Sequence, residues 1–188
     1  MRVSITLLER MLGTVPKDRE VYKTYVESRK PANHEEEESE NVAQIEEKGW
    51  TGFLEDENGL FVYDYFIKGF LKHAANVLKD VLKVKALRSK LNDFVFVMPR
   101  KIYFGKKLPD GVIERPLRAM TVQGPRVSLA RSDYIEAGTQ FEFEICLYPP
   151  HPEIKPGTIR SLLDYGRFMG LGQFRNGGYG RFSYEITE

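Results

Sequence analysis

Several stretches of the chain alternate apolar and polar residues, which is the pattern of a strand with one buried face. The alternation is clearest at residues 140–148. It recurs at residues 126–131, where Val127 and Leu129 are expected to face inward. Short apolar runs rich in β-branched and aromatic residues also favour strands. Together these patterns predict strands at 2–8, 60–62, 94–97, 126–131, 140–148 and 182–186.

Other stretches have helical periodicity. After Asp64, apolar residues recur at three- and four-residue spacing from Ile67 to Val81, which predicts an amphipathic helix. A second helix is expected from Thr158, whose hydroxyl can cap its first turn, to Met169. A weaker pattern predicts a short helix at residues 16–30.

The predicted elements occur in the order strand, long insertion, helix, strands, helix, strand. This order is the β-α-β-β-α-β pattern of a ferredoxin-like, RRM-like α+β fold. We therefore expect one domain spanning residues 1–188, with a helical and acidic insertion at residues 12–50 after the first strand. Such a sheet has one face covered by helices and one face free to meet a partner.

Charge is segregated along the chain although the net charge is only +1. Residues 33–58 contain ten acidic residues and one lysine, whereas residues 98–131 contain eight Lys and Arg residues and two acids. This distribution is typical of an electropositive surface beside a solvated acidic segment. Adjacent glutamates in such a segment lack the fixed geometry that acid–base catalysis needs.

Composition excludes several classes of protein. The single cysteine, Cys146, rules out an intramolecular disulfide and a cysteine-rich zinc site. No apolar run approaches membrane-spanning length, and the N-terminus lacks the apolar core of a signal peptide. The sequence therefore predicts a soluble, cytoplasmic protein without a cofactor or metal and without a membrane partner.

The segment 170–182 is the strongest functional signal in the chain. Five of its thirteen residues are glycine, two are arginine and three are aromatic. Glycine lets a backbone approach another chain closely, arginine binds phosphate through two donors, and aromatic faces stack on bases. This mixture favours contact with an anionic polymer. The alternative is a glycine-rich turn between a helix and the last strand.

The motifs resemble those of the RAMP superfamily, the ferredoxin-like RNA-binding proteins of CRISPR systems. Gly170-Leu171-Gly172, five residues and Gly178-Tyr179-Gly180 match its C-terminal glycine-rich signature. Lys68, Gly69 and Lys72 match the Lys-Gly-x-x-Arg/Lys helix start of the backbone subunits of CRISPR effector complexes. There, Pro-Gly-Ser-Ser typically precedes the helix, and residues 63–66 replace it here. Residues 138–141 resemble the Gly-Thr-x-Phe step before a central strand.

The resemblance implies a non-catalytic protein that binds nucleic acid, with single-stranded RNA as the expected ligand, and associates with itself or with related subunits. Such a protein serves antiviral defence, and compact phage-encoded relatives are also expected. Phosphate contacts would come from the loop and from a basic track, and stacking from the loop aromatics. The implied nucleic-acid-binding residues are Lys68, Lys72, Arg115, Arg118, Arg126, Arg131, Gly172, Phe174, Arg175, Gly177, Gly178, Tyr179 and Arg181.

Two other functions remain open. Members of the superfamily that cleave RNA use a histidine or an aspartate. Here His34 lies in the acidic run, His73 lies on a helix, and Asp56 and Asp64 lack an equivalent context. An endoribonuclease is therefore a weaker hypothesis than a non-catalytic protein. The third hypothesis is a viral structural or regulatory assembly protein whose glycine-rich loop forms a protein interface.

Overall fold

The computed structural model describes residues 1–17, 50–121 and 124–187, with the side chains of 117–128 excepted. The described strands are β1 Arg2–Leu7, β2 Met11–Leu12, β3 Val15–Pro16, β4 Trp50–Gly52, β5 Leu54–Asp56, β6 Gly59–Tyr63, β7 Val95–Met98, β8 Lys101–Tyr103, β9 Gly111–Thr121, β10 Gly124–Ile135, β11 Gln140–Leu147 and β12 Phe182–Thr187. The described helices are α1 Asp64–Val77, α2 Lys79–Leu82, α3 Leu87–Phe94 and α4 Pro156–Asp164. The predicted α+β class is confirmed.

The chain divides into two compact units. The first comprises Met1–Met11, Leu54–Leu108 and Glu136–Glu188, and the second comprises Leu12–Phe53 and Pro109–Ile135. The predicted insertion at residues 12–50 therefore belongs to a unit that also includes residues from the middle of the chain. Most of that insertion, including His34, the glutamate run and the predicted helix beyond Lys17, lies outside the described residues.

A four-stranded antiparallel sheet with the order β12-β1-β11-β7 is the base of the first unit. Alternation in β1 buries Val3, Ile5 and Leu7, and β11 buries its apolar residues in the same way. The buried faces of α1 and α4 pack together, with α1 against β7 and α4 against β12. The rings of Phe70 on α1 and Phe182 on β12 meet at 5.2 Å. Apolar burial of this kind is the main favourable term in folding.

The first unit contains a second, three-stranded antiparallel sheet with the order β5-β6-β8. Leu60 and Val62 of β6 face the core, and Ile102 on β8 is buried beside them. Phe61 is opposite Tyr103, and Tyr63 is opposite Lys101, so these four residues share the other face of the sheet. The strand β6 leads directly into α1.

The second unit is built on the long antiparallel hairpin of β9 and β10. Its sheet has the order β2-β10-β4-β3, and β2 is the strand in which the boundary between the units falls. The hydroxyls of Thr51 on β4 and Ser132 on β10 are 3.0 Å apart and buried. Trp50 Nε1 donates to the buried carboxylate of Asp133 at 2.8 Å, and Lys17 forms an ion pair with the same carboxylate at 2.6 Å.

The strand predicted at residues 126–131 is present within β10, but the prediction that Leu129 faces inward is wrong. Leu129 in β10 is 63% exposed, whereas Ala130 and Ser132 are buried. A shift of one residue exchanges the two faces of a strand. The buried face of β10 carries small and polar side chains, so hydropathy alone identifies the wrong set of residues.

The predicted helices differ from the observed ones mainly at their ends. The first predicted helix breaks at Leu78, and Val77 and Val81 are exposed. The second predicted helix begins at Pro156 rather than Thr158, and a 3₁₀ turn follows it at Tyr165. Proline suits the first turn of a helix because its missing N–H has no intrahelical partner there. Pro16 lies in β3, so the weaker helix prediction is wrong at that residue.

Candidate nucleic-acid interface

The glycine-rich loop, residues 170–181, connects the 3₁₀ turn after α4 to β12 and is fixed at its base by backbone hydrogen bonds. Leu171 N donates to Gly180 O at 2.9 Å, and Gly180 N donates to Arg10 O at 2.7 Å. Leu8 N donates to Arg181 O at 2.7 Å. The loop is therefore held against the end of β1, and the residues between these bonds form its tip.

Two aromatic rings meet at the tip of the loop. The ring centroids of Phe174 and Tyr179 are 5.8 Å apart with an interplanar angle of 41°. A Cβ at Gly177 would lie 2.3 Å from the ring of Phe174, so the absence of a side chain there admits the ring. Phe174 is 46% exposed, so part of its ring is in contact with solvent.

The guanidinium of Arg181 lies over a second glycine. Gly178 has φ +87°, and a Cβ there would lie 3.1 Å from Arg181 Nη2. Gly172, on the other side of the tip, also has a positive φ of +83°. Arg181 is exposed, so its donors are accessible to an anion.

Arg175 lies close to α1. Burial and then the charge of Arg175 lower the pKa of the His73 imidazole. His73 also packs beside Tyr165, with ring centroids 6.2 Å apart. Its Nε2 atom is buried and has no hydrogen-bond partner among the described residues. In this conformation the buried Nε2 atom is out of reach of a phosphodiester.

Lys68 and Lys72, one turn apart on α1, converge on Asn92 at the C-terminal end of α3. Lys68 Nζ donates to Asn92 O at 2.8 Å, and Lys72 Nζ donates to Asn92 Oδ1 at 3.2 Å. Burial, followed by the charge of Lys72, lowers the pKa of Lys68. An anion bound between the two ammonium groups would offset their mutual repulsion, so the pair is suited to binding an anion.

The structure thus places the predicted residues of the first unit in two clusters, the loop tip and the lysine pair. His73 follows Lys72 directly, and its pKa is lowered first by burial and then by the charge of Arg175 in the loop. Sequence reasoning missed Asn92 and Tyr165. Neither belongs to a motif, and both join the site only through the packing of α3 and α4 against α1.

The four predicted arginines of the second unit have different environments. Arg115 is buried and donates to Ser132 Oγ at 2.9 Å, so its guanidinium belongs to the internal network of that sheet. Arg131 pairs with Glu114 at 2.6 Å and lies 5.8 Å from the ring centroid of Trp50. Arg118 and Arg126 lie on β9 and β10, and their side chains are outside the described part of the chain.

Asp56, one of the two aspartates considered for a catalytic role, is engaged in polar contacts. Asp56 accepts hydrogen bonds from Lys101 Nζ at 2.6 Å and from Tyr103 Oη at 2.9 Å. The Lys101 hydrogen bond is the main cause that lowers the pKa of Asp56.

Among the described residues, no helix is long and apolar enough to cross a membrane.

No protein-family model matches the chain, and no curated protein matches it. Solved structures that resemble it include a chain of the type III-B Cmr-β complex bound to cognate target RNA, with 14% identity and a TM-score of 0.53. The match covers 100% of this chain and 58% of that chain, so this protein spans just over half of its length. A chain of a type IV-B CRISPR complex is 11% identical, with a TM-score of 0.48 and coverage of 99% and 89%. The predicted resemblance to CRISPR complex subunits is confirmed at the level of the fold.

Proposed function

We propose that this chain is a non-catalytic RNA-binding subunit of RAMP type, acting in a CRISPR-type antiviral complex or in a compact phage-encoded relative of one. The first unit supports a ferredoxin-like assignment. It contains β1, α1, β7, β11, α4 and β12 in the order β-α-β-β-α-β, with all neighbouring strands of the sheet antiparallel. On this proposal, the residues of the second unit are an elaboration of one RAMP-like domain.

The observation that carries the proposal is the tip of the glycine-rich loop, where the guanidinium of Arg181 is exposed and the rings of Phe174 and Tyr179 meet at 5.8 Å. The proposal assigns four cations of the first unit to one interface, namely Arg175 and Arg181 of the loop and the lysine pair of α1. Each cation that neutralises a phosphate releases counterions, and this release supplies most of the affinity for a nucleic-acid backbone. The exposed ring of Phe174 adds a face on which a base can stack.

Single-stranded RNA is the ligand that this combination favours. Stacking on a ring requires an unpaired base, and cations along a backbone require no particular sequence. The Cmr-β complex, whose chain has a similar fold, is bound to target RNA. We further propose that copies of the chain, or related subunits, assemble along the strand in the cytoplasm.

A catalytic role is not part of the proposal. General acid–base chemistry needs a group within hydrogen-bond reach of the scissile phosphate. The imidazole nitrogen of His73 that lacks a partner is buried, and Asp56 is bound by Lys101 and Tyr103.

The proposal is tested by purifying the protein without nuclease at low and high salt. The absorbance ratio at 260 and 280 nm and the mass by size-exclusion chromatography are then measured. We expect co-purifying RNA in a large particle that dissociates at high salt, and Arg175→Ala should release the RNA. A protein free of nucleic acid at both salts would contradict the proposal. Salt-insensitive oligomers without nucleic acid would instead identify an assembly protein, and cleavage of added RNA would identify a nuclease.

A further inference from the structure

One face of the β5-β6-β8 sheet carries a row of aromatic rings, which begins at the buried Phe61 and continues through the half-buried Tyr63 and Tyr103. The ring centroid of Phe61 is 5.3 Å from that of Tyr63 and 5.6 Å from that of Tyr103. The row continues into the first turn of α1, where the ring of Tyr65 lies 5.4 Å from that of Tyr63 at 30°. Tyr65 is 47% exposed, so this end of the row is accessible.

Arg100 extends the row with a further planar group. Its Cζ lies 4.7 Å from the ring centroid of Tyr63 and 5.4 Å from that of Tyr65. An ion pair with Asp64 at 2.5 Å and a hydrogen bond from Asp64 N to Arg100 O hold the guanidinium in place. The arginine side chain is nevertheless 66% exposed. We call Tyr63, Tyr65 and Arg100 the tyrosine–arginine platform.

Two of the acidic side chains near the platform are paired with cations, and Glu142 and Glu144 line the cleft that also contains Arg100. Arg100 neutralises Asp64, and Lys101 neutralises Asp56 at 2.6 Å. Tyr65 also shares a helix face with Lys68 and Lys72, because residues three and seven positions apart lie on one side of an α-helix. Tyr65 is therefore followed along the same side of α1 by the two lysines.

We propose that the tyrosine–arginine platform binds an unpaired base by stacking on Tyr65 and the Arg100 guanidinium, while the adjacent backbone lies along the lysine pair. Bases stack on tyrosine rings and on guanidinium planes irrespective of sequence. The inference rests on the proposed RNA binding and adds a second stacking site to that of the loop. Tyr63 and Tyr65 of the platform lie in residues 63–66, the segment that replaces the Pro-Gly-Ser-Ser of the CRISPR backbone subunits.

The test is fluorescence anisotropy with a labelled single-stranded RNA, measured across a series of salt concentrations. Tyr65→Leu keeps an apolar side chain but removes the ring, and it should weaken binding by about 5-fold to 150-fold. The dependence of affinity on salt should stay unchanged, because no phosphate contact is lost. Tyr65→Phe should bind like the wild-type protein. Tyr148→Leu removes a tyrosine that is 73% exposed elsewhere in the first unit, and it is the matched control.

An RNA with abasic positions separates stacking from every other cause. Wild-type protein and Tyr65→Leu should bind a fully abasic strand with equal affinity. Equal binding of the normal strand by wild-type and Tyr65→Leu would overturn the platform, and so would loss of binding in Tyr65→Phe. If Arg175→Ala still lowers the salt dependence in that case, the proposed function survives. If the wild-type protein binds no strand, both proposals are overturned.

Discussion

The guanidinium of Arg175 lies close enough to the imidazole of His73 to be, after burial, the second cause that lowers the pKa of that histidine. Arg175 belongs to the loop after α4, and His73 belongs to α1. Their proximity is therefore a product of tertiary packing. The proposed interface uses cations from both of these elements.

The proximity can be measured as a change in titration. His73 should titrate below its usual pKa of 6.5, and Arg175→Ala should raise the value because the nearby positive charge disfavours the imidazolium. The folded-state pKa is lowered, so the stability that neutral His73 contributes is complete above 6.5 and is lost as pH falls through the folded value. NMR titration of the imidazole measures the shift. Arg88→Ala on α3 is the control, and an unchanged His73 titration in Arg175→Ala would contradict this electrostatic effect.

Removing one loop arginine should weaken RNA binding in a salt-dependent way. For a single strand, each lost phosphate contact lowers the slope of log affinity against log salt by about 0.7. Arg175→Ala and Arg181→Ala should each show this loss, and Arg88→Ala, an exposed arginine on α3, should not. A loss of affinity with an unchanged slope would mean that the arginine supports the loop rather than contacting phosphate.

The lysine pair should behave as two phosphate contacts. Lys68→Gln with Lys72→Gln removes both charges and retains polar side chains near Asn92. The salt slope should fall by about 1.4 in the double variant. Lys79→Gln, on the exposed helix α2, controls for net charge. Equal slopes in the double variant and the control would exclude the lysine pair from the interface.

Two glycines of the first unit should respond to alanine with opposite signs. A Cβ at Gly166 would lie 2.1 Å from the fully buried ring of Phe182, so Gly166→Ala should destabilise the protein by about 1–3 kcal/mol. Gly69 lies within α1 with nothing within 4 Å of the added Cβ. Gly69→Ala should therefore stabilise by about 0.5–1 kcal/mol. Denaturant unfolding measures both, and equal effects of the two changes would contradict the described packing.

Elements with a strict period were predictable from the sequence. The alternation in β1, β11 and β12 gave the strands of the first sheet, and Asp64 was correctly placed at the start of α1. The loop and the two lysines were found because their residue types are themselves suited to phosphate and bases. Local chemistry was sufficient for these features.

Features that depend on distant packing were not predictable. Asn92 lies twenty residues from Lys72 and is recognisable as its partner only after α3 has packed against α1. Leu129 points outward because the buried face of β10 is occupied by Ser132 and its hydrogen-bonded neighbours. The row from Phe61 to Arg100 requires the pairing of β6 with β8, which no local pattern specifies.

The most direct test of RNA binding is the affinity of the wild-type protein for a labelled single-stranded RNA at several salt concentrations. Four phosphate contacts, from Lys68, Lys72, Arg175 and Arg181, predict a slope of log affinity against log salt of about −3. A variant that lacks all four charges but remains folded should lose most of this slope. Wild-type binding that does not depend on salt, or no binding at low salt, would contradict the account.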